Sequence, residues 1–406
     1  MTAPRPFVHL NVLDAYRADL ARCDREFLGD ADDQCLIFAT LLHHAVVISP
    51  DPVERNAYLR TAFASESCPL DERLELDDAD PLAAIGARTY MLAEYAERSG
   101  GYALATTIID LAQGVLRVAH ANQSGRLMYL QARILRKLGL LDHSGDVLSR
   151  LERLGNTTSD VDLRALAQLG KAILARVRGN YPSARKGFLA ALELAPCSSD
   201  ELDIALHSHH GMLIASAVAN DFDSAIRHGA AALDVVRLGE QRTEILANLA
   251  AACFDAGEPN AALHGYLQAL TATNDPRIRL SCAGGAALAA AHVAGAAVTR
   301  RLIEVGVGLA GHTSGLHHEV ADMFRELYLA AELIGDHESA AHFRRASEGL
   351  ARRHGFFEIL HRLETPASAP RPSKPVSHGA RDIAASMATG DAEQLLTAAA
   401  SSVLLD

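Results

Sequence analysis

Three histidines occur within four residues of the chain, at His207, His209 and His210. Imidazole is a common zinc ligand, so this cluster is the first place where metal chemistry could be expected. No carboxylate or cysteine completes a ligand set locally, and a chain with 19 histidines is expected to contain such clusters. A metal-dependent hydrolase that uses these histidines is therefore a distant alternative, and a polar role on a surface or in a groove is favoured. We predict no metal and no cofactor.

Other catalytic sequence motifs are incomplete or absent. The stretch HHEVAD, residues 317–322, comes close to the zinc-protease helix motif, but Asp322 occupies the position of its second histidine. The sequence contains no Walker loop for phosphates and no GxSxG motif for a nucleophilic serine. We therefore predict that the protein is not an enzyme.

A set of cationic and aromatic residues favours binding. Its members are separated by three, four and three residues, which places them on one face of a helix: Arg126, Tyr129, Arg133 and Arg136. The planar guanidinium group suits carboxylates, and tyrosine offers a rigid contact surface. Two interpretations stay open. The face binds an acidic ligand, or its arginines pair with the protein's own acids, such as Glu94 and Glu97.

A repeated turn signal indicates the elements that position these residues. Six glycines and one asparagine recur at intervals of 37 to 41 residues: Gly100, Gly139, Gly179, Asn220, Gly257, Gly295 and Gly335. A helix that ends and reverses direction needs a residue with positive φ, which glycine adopts freely and asparagine next best. We call these residues the anchors. Each anchor is predicted to join two antiparallel helices.

The stretch GNYPSARKGFLAALELAP, residues 179–196, shows the rest of the pattern. The small Ala184 is expected where the two helices cross closely, and Phe188 and Ala191 follow at helical spacing. Pro196, like Pro276 further along, is expected to end a second helix because proline cannot continue one. One hairpin cannot bury its apolar face alone, so neighbouring hairpins must stack. The predicted fold is all-α, an α-solenoid of stacked antiparallel helical hairpins.

The pattern Gly179, Tyr181, Ala184, Phe188, Ala191 and Pro196 resembles the tetratricopeptide repeat family, over about residues 86–354. The chain departs from the family because it has no Trp and its period is near 39 residues instead of about 34. The resemblance implies that the first helix of each hairpin lines a groove. Its groove positions lie thirteen, ten, six and three residues before each anchor. The implied binding residues are Tyr90, Glu94, Arg126, Tyr129, Arg133, Arg136, Arg176, His207 and His210.

Composition shifts along the chain predict four regions. A helical N-terminal cap region covers 1–80, and the array of about seven repeats covers 81–358. A proline-rich flexible linker covers 359–381, because four prolines and small polar residues favour an extended chain. Residues 382–406 are predicted to form a short C-terminal helix, starting at Asp391, or a disordered tail.

The net charge and the cysteine content restrict the possible partners and the location of the protein. The formal net charge of −12 argues against direct nucleic-acid binding, and no apolar run of about 18 residues would span a membrane. The six cysteines include no CxxC pair and are expected to be reduced core thiols, which predicts a cytoplasmic protein. We predict a non-catalytic scaffold or adaptor that binds a protein or peptide segment, for which an acidic segment is one candidate. The alternative is a ligand- or peptide-sensing module of a bacterial signalling or transcriptional regulatory system.

Overall fold

The computed structural model of the chain describes residues 90, 93–94, 97, 102, 105–106, 109–110, 112–113, 120–236, 239–313, 315–364, 376–388 and 392–403. The predicted cap region 1–80, the anchor Gly100 and the helix start at Asp391 lie outside these residues. Within them, the structure contains fifteen α-helices and no β-strand.

The helices follow one another with short connections. Helices α1 to α4 are Ala121–Lys137, Leu141–Thr158, Val161–Val177 and Tyr181–Leu194, and a 3-10 turn, Ala195–Cys197, follows α4. Helices α5 to α10 are Glu201–Val218, Phe222–Val235, Glu240–Asp255, Pro259–Ala272, Pro276–Val293 and Gly295–Gly311. Helices α11 to α15 are His317–Leu333, His337–His354, Phe357–Glu364, His378–Met387 and Ala392–Val403.

The chain forms two compact units, one of residues 1–178 with 190–201 and one of residues 179–189 with 202–406. In the first unit, α1 packs against α2 and α3, and α2 packs against α3. In the second unit, each helix from α6 to α12 packs against the next, and the first helices α7, α9 and α11 also contact one another in turn. The predicted all-α fold of stacked helical hairpins is confirmed.

The anchors adopt the predicted left-handed conformation. Six of them lie within the described residues, and all six have positive φ: Gly139, Gly179, Asn220, Gly257, Gly295 and Gly335. The φ angle is 74° at Gly179 and 56° at Asn220. Aspartates directly after two anchors start the second helix. The side chain of Asp221 accepts a hydrogen bond from the Ser224 backbone N–H, and Asp336 accepts one from that of Ser339.

Large side chains of second helices pack into gaps that glycines leave on the following first helix. Each large residue lies nine positions after its anchor. A Cβ atom added to the opposing glycine would lie 2.2 to 2.4 Å from that side chain, so no larger residue fits without movement. The pairs are Leu148 with Gly170 in the first unit, and Phe188 with Gly211 and Tyr266 with Gly285 in the second.

The expectation for Pro276 is wrong. Helix α8 ends at Ala272, and Pro276 is the first residue of α9. Asp275 caps this helix, because its carboxylate accepts a hydrogen bond of 2.8 Å from the Arg277 backbone N–H. Proline suits the first turn, where its missing N–H is not needed. Pro196 lies in the 3-10 turn directly after α4, where it ends that helix as expected.

Both ends of the predicted linker 359–381 are helical, which narrows that prediction. Helix α13 continues to Glu364 because Ile359 and Leu363 bury their side chains, which are 1% and 4% exposed. At the other end, Ser377 caps α14 by accepting a hydrogen bond from the Ala380 backbone N–H. The linker prediction then applies to residues 365–375, which lie outside the described residues.

Two expectations from composition can also be compared with the structure. Cys253 and Cys282 are buried free thiols, as predicted for core cysteines, whereas Cys197 is exposed. The exposure of Cys197 follows from its place in the connection that leads from α4 to α5. Among the described helices, none combines the length and apolar character that a membrane crossing requires.

Candidate functional site

Helix α1 carries four of the predicted site residues. Its side chains Leu127, Leu130 and Ile134 are fully buried, and the helix packs against α2 and α3. The four site residues of α1 and Arg176 at the end of α3 are half-buried in the first unit. We call these five residues the basic face: Arg126, Tyr129, Arg133, Arg136 and Arg176.

Arg133 is paired with the protein's own acids. Its guanidinium donates two hydrogen bonds to the carboxylate of Glu97, one of them from Nε to Oε1 at 2.9 Å, and Nη2 lies 3.4 Å from Glu94 Oε1. The Glu97 side chain is only 1% exposed, and Lys137 Nζ is 3.0 Å from its Oε1. Burial opposes the charged form of Arg133, but the bond and charge of Glu97 outweigh it and raise the pKa of Arg133. For Arg133, the structure matches the pairing that the sequence left as an alternative.

Arg126 also has internal partners. Its Nη2 lies 2.7 Å from Asp200 Oδ2 and donates to the Ser199 hydroxyl at 3.2 Å, while Nε donates to Asn122 Oδ1 at 3.0 Å. The carboxylate of Asp162, at the start of α3, accepts hydrogen bonds from both the backbone N–H and the hydroxyl of Ser199. Arg126 therefore connects α1 to residues 199–200 within the first unit.

Arg136 stands in a different environment. Burial is the main cause that lowers the pKa of Arg136, and the positive charges of Arg176 and Arg133 lower it further. Tyr129 and Glu97 act in the opposite direction and raise it. Among the described residues, no carboxylate lies within ion-pairing distance of Arg136. Three guanidinium groups thus influence one another at the end of α1, and Glu97 is already occupied by Arg133 and Lys137.

The two tyrosines of the predicted site lie beside these charges. Burial raises the pKa of Tyr90. The positive charge of Arg133 lowers this pKa, and the negative charge of Glu94 raises it. Tyr129 packs close to α3, since a Cβ added at Gly170 would be 3.3 Å from Tyr129 Cε2. The structure thus brings Tyr90, Glu94 and the basic face together within the first unit.

The histidine cluster of α5 does not converge, and it lies in the second unit. His209 Nδ1 is 2.9 Å from His228 Nδ1 on α6, and burial lowers the pKa of His209. His210 Nε2 accepts a hydrogen bond of 2.9 Å from the Asn248 amide on α7, and the Gln241 amide lies 3.4 Å from His207 Nδ1. No group of three or more metal-ligating residues converges anywhere in the described part of the chain.

A charged cluster in the second unit was not predicted. Arg325 Nε is 2.8 Å from Asp322 Oδ1 and its Nη2 is 3.3 Å from Glu326 Oε1, while Arg362 of α13 reaches Asp322 at 3.4 Å. Burial raises the pKa of Glu326 to about 8. Asp322 and Arg325 lie thirteen and ten residues before Gly335, so counting back from that anchor would have found them. Both arginines of this cluster have Asp322 as a partner, which distinguishes them from Arg136 of the basic face.

Comparison with known proteins gives limited likeness. No family model matches the chain, and no curated protein matches it. Among solved structures, the chain is similar to the apo form of RapI, with a TM-score of 0.38 and 12% identity over 78% of this chain and 99% of that chain. It is also similar to the apo form of the quorum sensor NprR from B. thuringiensis, with a TM-score of 0.37 and 12% identity over 79% of this chain and 99% of that one.

Proposed function

We propose that the basic face binds an acidic segment of a protein or peptide, without catalysis, in a tetratricopeptide-like array. One observation carries the proposal: Arg136 is half-buried beside two other guanidinium groups, and no described carboxylate pairs with it. A buried cation is costly unless it is paired. A carboxylate from a ligand would remove both the repulsion and the desolvation cost, and it would form charge-assisted hydrogen bonds.

Other residues of the basic face are held in place near Arg136. Arg133 is occupied by Glu97, and Arg126 is held by Asp200, so neither guanidinium is available without breaking an internal pair. Both pairs fix the side chains of α1 before any ligand arrives. Because little side-chain freedom remains to be lost, such a preorganised surface binds at lower entropic cost. Tyr129 adds a rigid aromatic surface next to the cations.

Binding can be tested with labelled synthetic peptides of equal length that are acidic, neutral or basic. Fluorescence anisotropy with the full chain should show preferential binding of the acidic peptide, weakening as salt rises. Arg136→Glu should weaken binding by about tenfold or more, because a hydrogen bond to a charged group contributes about 1.5–3 kcal/mol. The matched control is Arg153→Glu, the same charge change at an exposed position of α2.

Arg136→Glu is chosen because it breaks no internal ion pair among the described residues. Its thermal stability should stay close to that of the wild type, whereas Arg133→Glu would leave the buried Glu97 facing a like charge. Equal affinity of Arg136→Glu and wild type for the acidic peptide would refute the proposal. If the peptide also changes hydrogen exchange outside the basic face, the sensing alternative is favoured over a passive scaffold.

A further inference from the structure

The C-terminal helices cover the second helices of three consecutive hairpins in the second unit. Helix α14 packs against α6 and α8, and α15 packs against α8 and α10. Among the described helices of this unit, α8 makes no extensive direct contact with α6 or with α10. Residues 376–388 and 392–403, which we call the strap, therefore connect second helices that otherwise contact each other little.

The strap docks through small apolar side chains on one side of each helix. The buried positions recur at helical spacing and are 0% to 6% exposed: Val376, Ala380, Ala384, Leu396 and Ala399. They belong to the same continuous apolar core as the hairpins. The residues beside them, Ala385 and Ala398, are exposed. Alanine at the contact lets the helix backbones approach closely, so the strap fits this surface as an alanine-rich amphipathic helix pair.

Polar contacts fix where the strap begins. The backbone N–H of Ser377 donates to Asp223 Oδ1 at 3.1 Å, and its hydroxyl donates to the same atom. Arg381 Nε lies 3.7 Å from Glu258 Oε1, with its side chain 52% exposed. Exposed ion pairs of this kind contribute about 1 kcal/mol or less. Docking is thus stabilised mainly by apolar contact, with Ser377 setting the register.

The Met387 side chain extends past α8, the second helix of a hairpin, and contacts α7, the first helix of the same hairpin. A Cβ added at Gly265 of α8 would lie 2.8 Å from Met387 Cε, so the glycine provides the space for this side chain. Beyond it, the Cys253 thiol of α7 lies 3.8 Å from Met387 Sδ. The neighbouring Phe254 makes an edge contact with His292 of α9, with 5.4 Å between ring centres. A chain of contacts thus runs from the strap to two first helices.

We propose that the strap is a reversible intramolecular ligand of the α6, α8 and α10 surface, and that its docking fixes the position of α7 through Met387. Undocking leaves α7 free to shift against α8. By thermodynamic linkage, anything that displaces α7 weakens strap docking to the same extent. This inference is independent of the function proposed for the basic face, which lies in the first unit.

Hydrogen exchange of the full chain, followed by mass spectrometry, tests the proposal. The variant Ala384→Glu/Ala399→Glu places two carboxylates at positions that are 0% exposed. Its matched control is Ala385→Glu/Ala398→Glu, which makes the same substitutions one residue away on the exposed side. In the first variant, the strap and residues 247–255 of α7 should exchange at least about tenfold faster than in wild type. The control should exchange like the wild type.

Two results would overturn the proposal. One is a strap that stays protected in Ala384→Glu/Ala399→Glu, which would mean that the docking surface is misassigned. The other is a strap that loses protection while 247–255 exchanges at the wild-type rate, which would make the strap a passive cover. If the double variant unfolds the whole unit, Met387→Ala decides, because it removes only the side chain that reaches α7. Faster exchange confined to 247–255 and the strap would support the coupling, and an unchanged rate would refute it.

Discussion

Replacing Gly211 by alanine tests the packing between consecutive hairpins. The added Cβ would lie 2.2 Å from Phe188 Cζ and 2.5 Å from both Cε atoms. Carbon atoms in contact are normally about 3.5–4.0 Å apart, so the ring would have to retreat by more than about 1 Å. Phe188 is 0% exposed, so the ring would have to move against other buried atoms. Overpacking of this kind costs about 1–3 kcal/mol, from which alanine's better helix propensity subtracts about 0.5–1 kcal/mol.

The chain provides a matched control in Gly349. This glycine is exposed on α12, and an added Cβ would meet no atom within 4 Å. Gly349→Ala should therefore raise the free energy of unfolding by about 0.5–1 kcal/mol, while Gly211→Ala lowers it. The difference between the two variants isolates the cost of overpacking. Urea unfolding of the full chain, followed by circular dichroism, measures both.

A second substitution should rescue the first. Phe188→Leu removes the ring atoms that an added Cβ at Gly211 would strike, at a cost of about 1–2 kcal/mol on its own. The double variant should be less destabilised than the sum of the single variants by about 0.5–3 kcal/mol. Equal effects of Gly211→Ala and Gly349→Ala, or simple additivity with Phe188→Leu, would refute the close packing of Phe188 against Gly211.

Three further predictions concern turns, pH and proteolysis. Gly179→Val should lower the melting temperature more than Asn220→Gly, because φ is positive at both positions and a β-branched residue is strained there; equal changes would contradict the turn assignment. Burial raises the pKa of Glu326 to about 8, so the stability that depends on its protonated form is full below about pH 4.5 and is lost as pH rises through 8. Glu326→Gln should flatten that decline in the free energy of unfolding, and an unchanged pH profile would count against it. Limited proteolysis should cut first within 365–375, and a first cut inside 141–333 would overturn the linker prediction.

Local conformational rules account for what the sequence predicted well. Glycine and asparagine are the residues that most readily adopt positive φ. The turns at Gly179 and Asn220 could therefore be located from the amino-acid type alone, without knowing which residues they contact. The burial of Ala184 and Phe188 follows from helical spacing within one hairpin. The copy at Gly295 shows the limit of such counting. Arg300 stands five residues after this anchor, the position that Ala184 has after Gly179. The second helix starts at the anchor itself, so Thr299 is the buried residue instead.

Contacts between distant residues could not be predicted in the same way. Ser377 and Asp223 are 154 positions apart, and neither residue's type indicates the other. The spacing placed the arginines of α1 on one face, but only the three-dimensional arrangement distinguishes the paired Arg133 from Arg136. The glycines opposite Leu148, Phe188 and Tyr266 were also missed, because a gap matters only once its occupant is known.

The pairing of each large second-helix residue with a glycine on the following first helix limits how interchangeable the hairpins are. The arrangement is reversed between the hairpin of α5 and α6 and the hairpin of α7 and α8. Here Gly229 of α6 stands nine residues after the anchor Asn220, and Leu249 of α7 fills the gap. Removing the hairpin of α5 and α6 would place Phe188 opposite Asn248 instead of Gly211. Consensus repeat arrays can be shortened by whole repeats. At the four described boundaries with such a pair, a hairpin fits its own neighbour, so the order of these hairpins is part of the fold. Substitutions within a hairpin should therefore be better tolerated than exchange of whole hairpins.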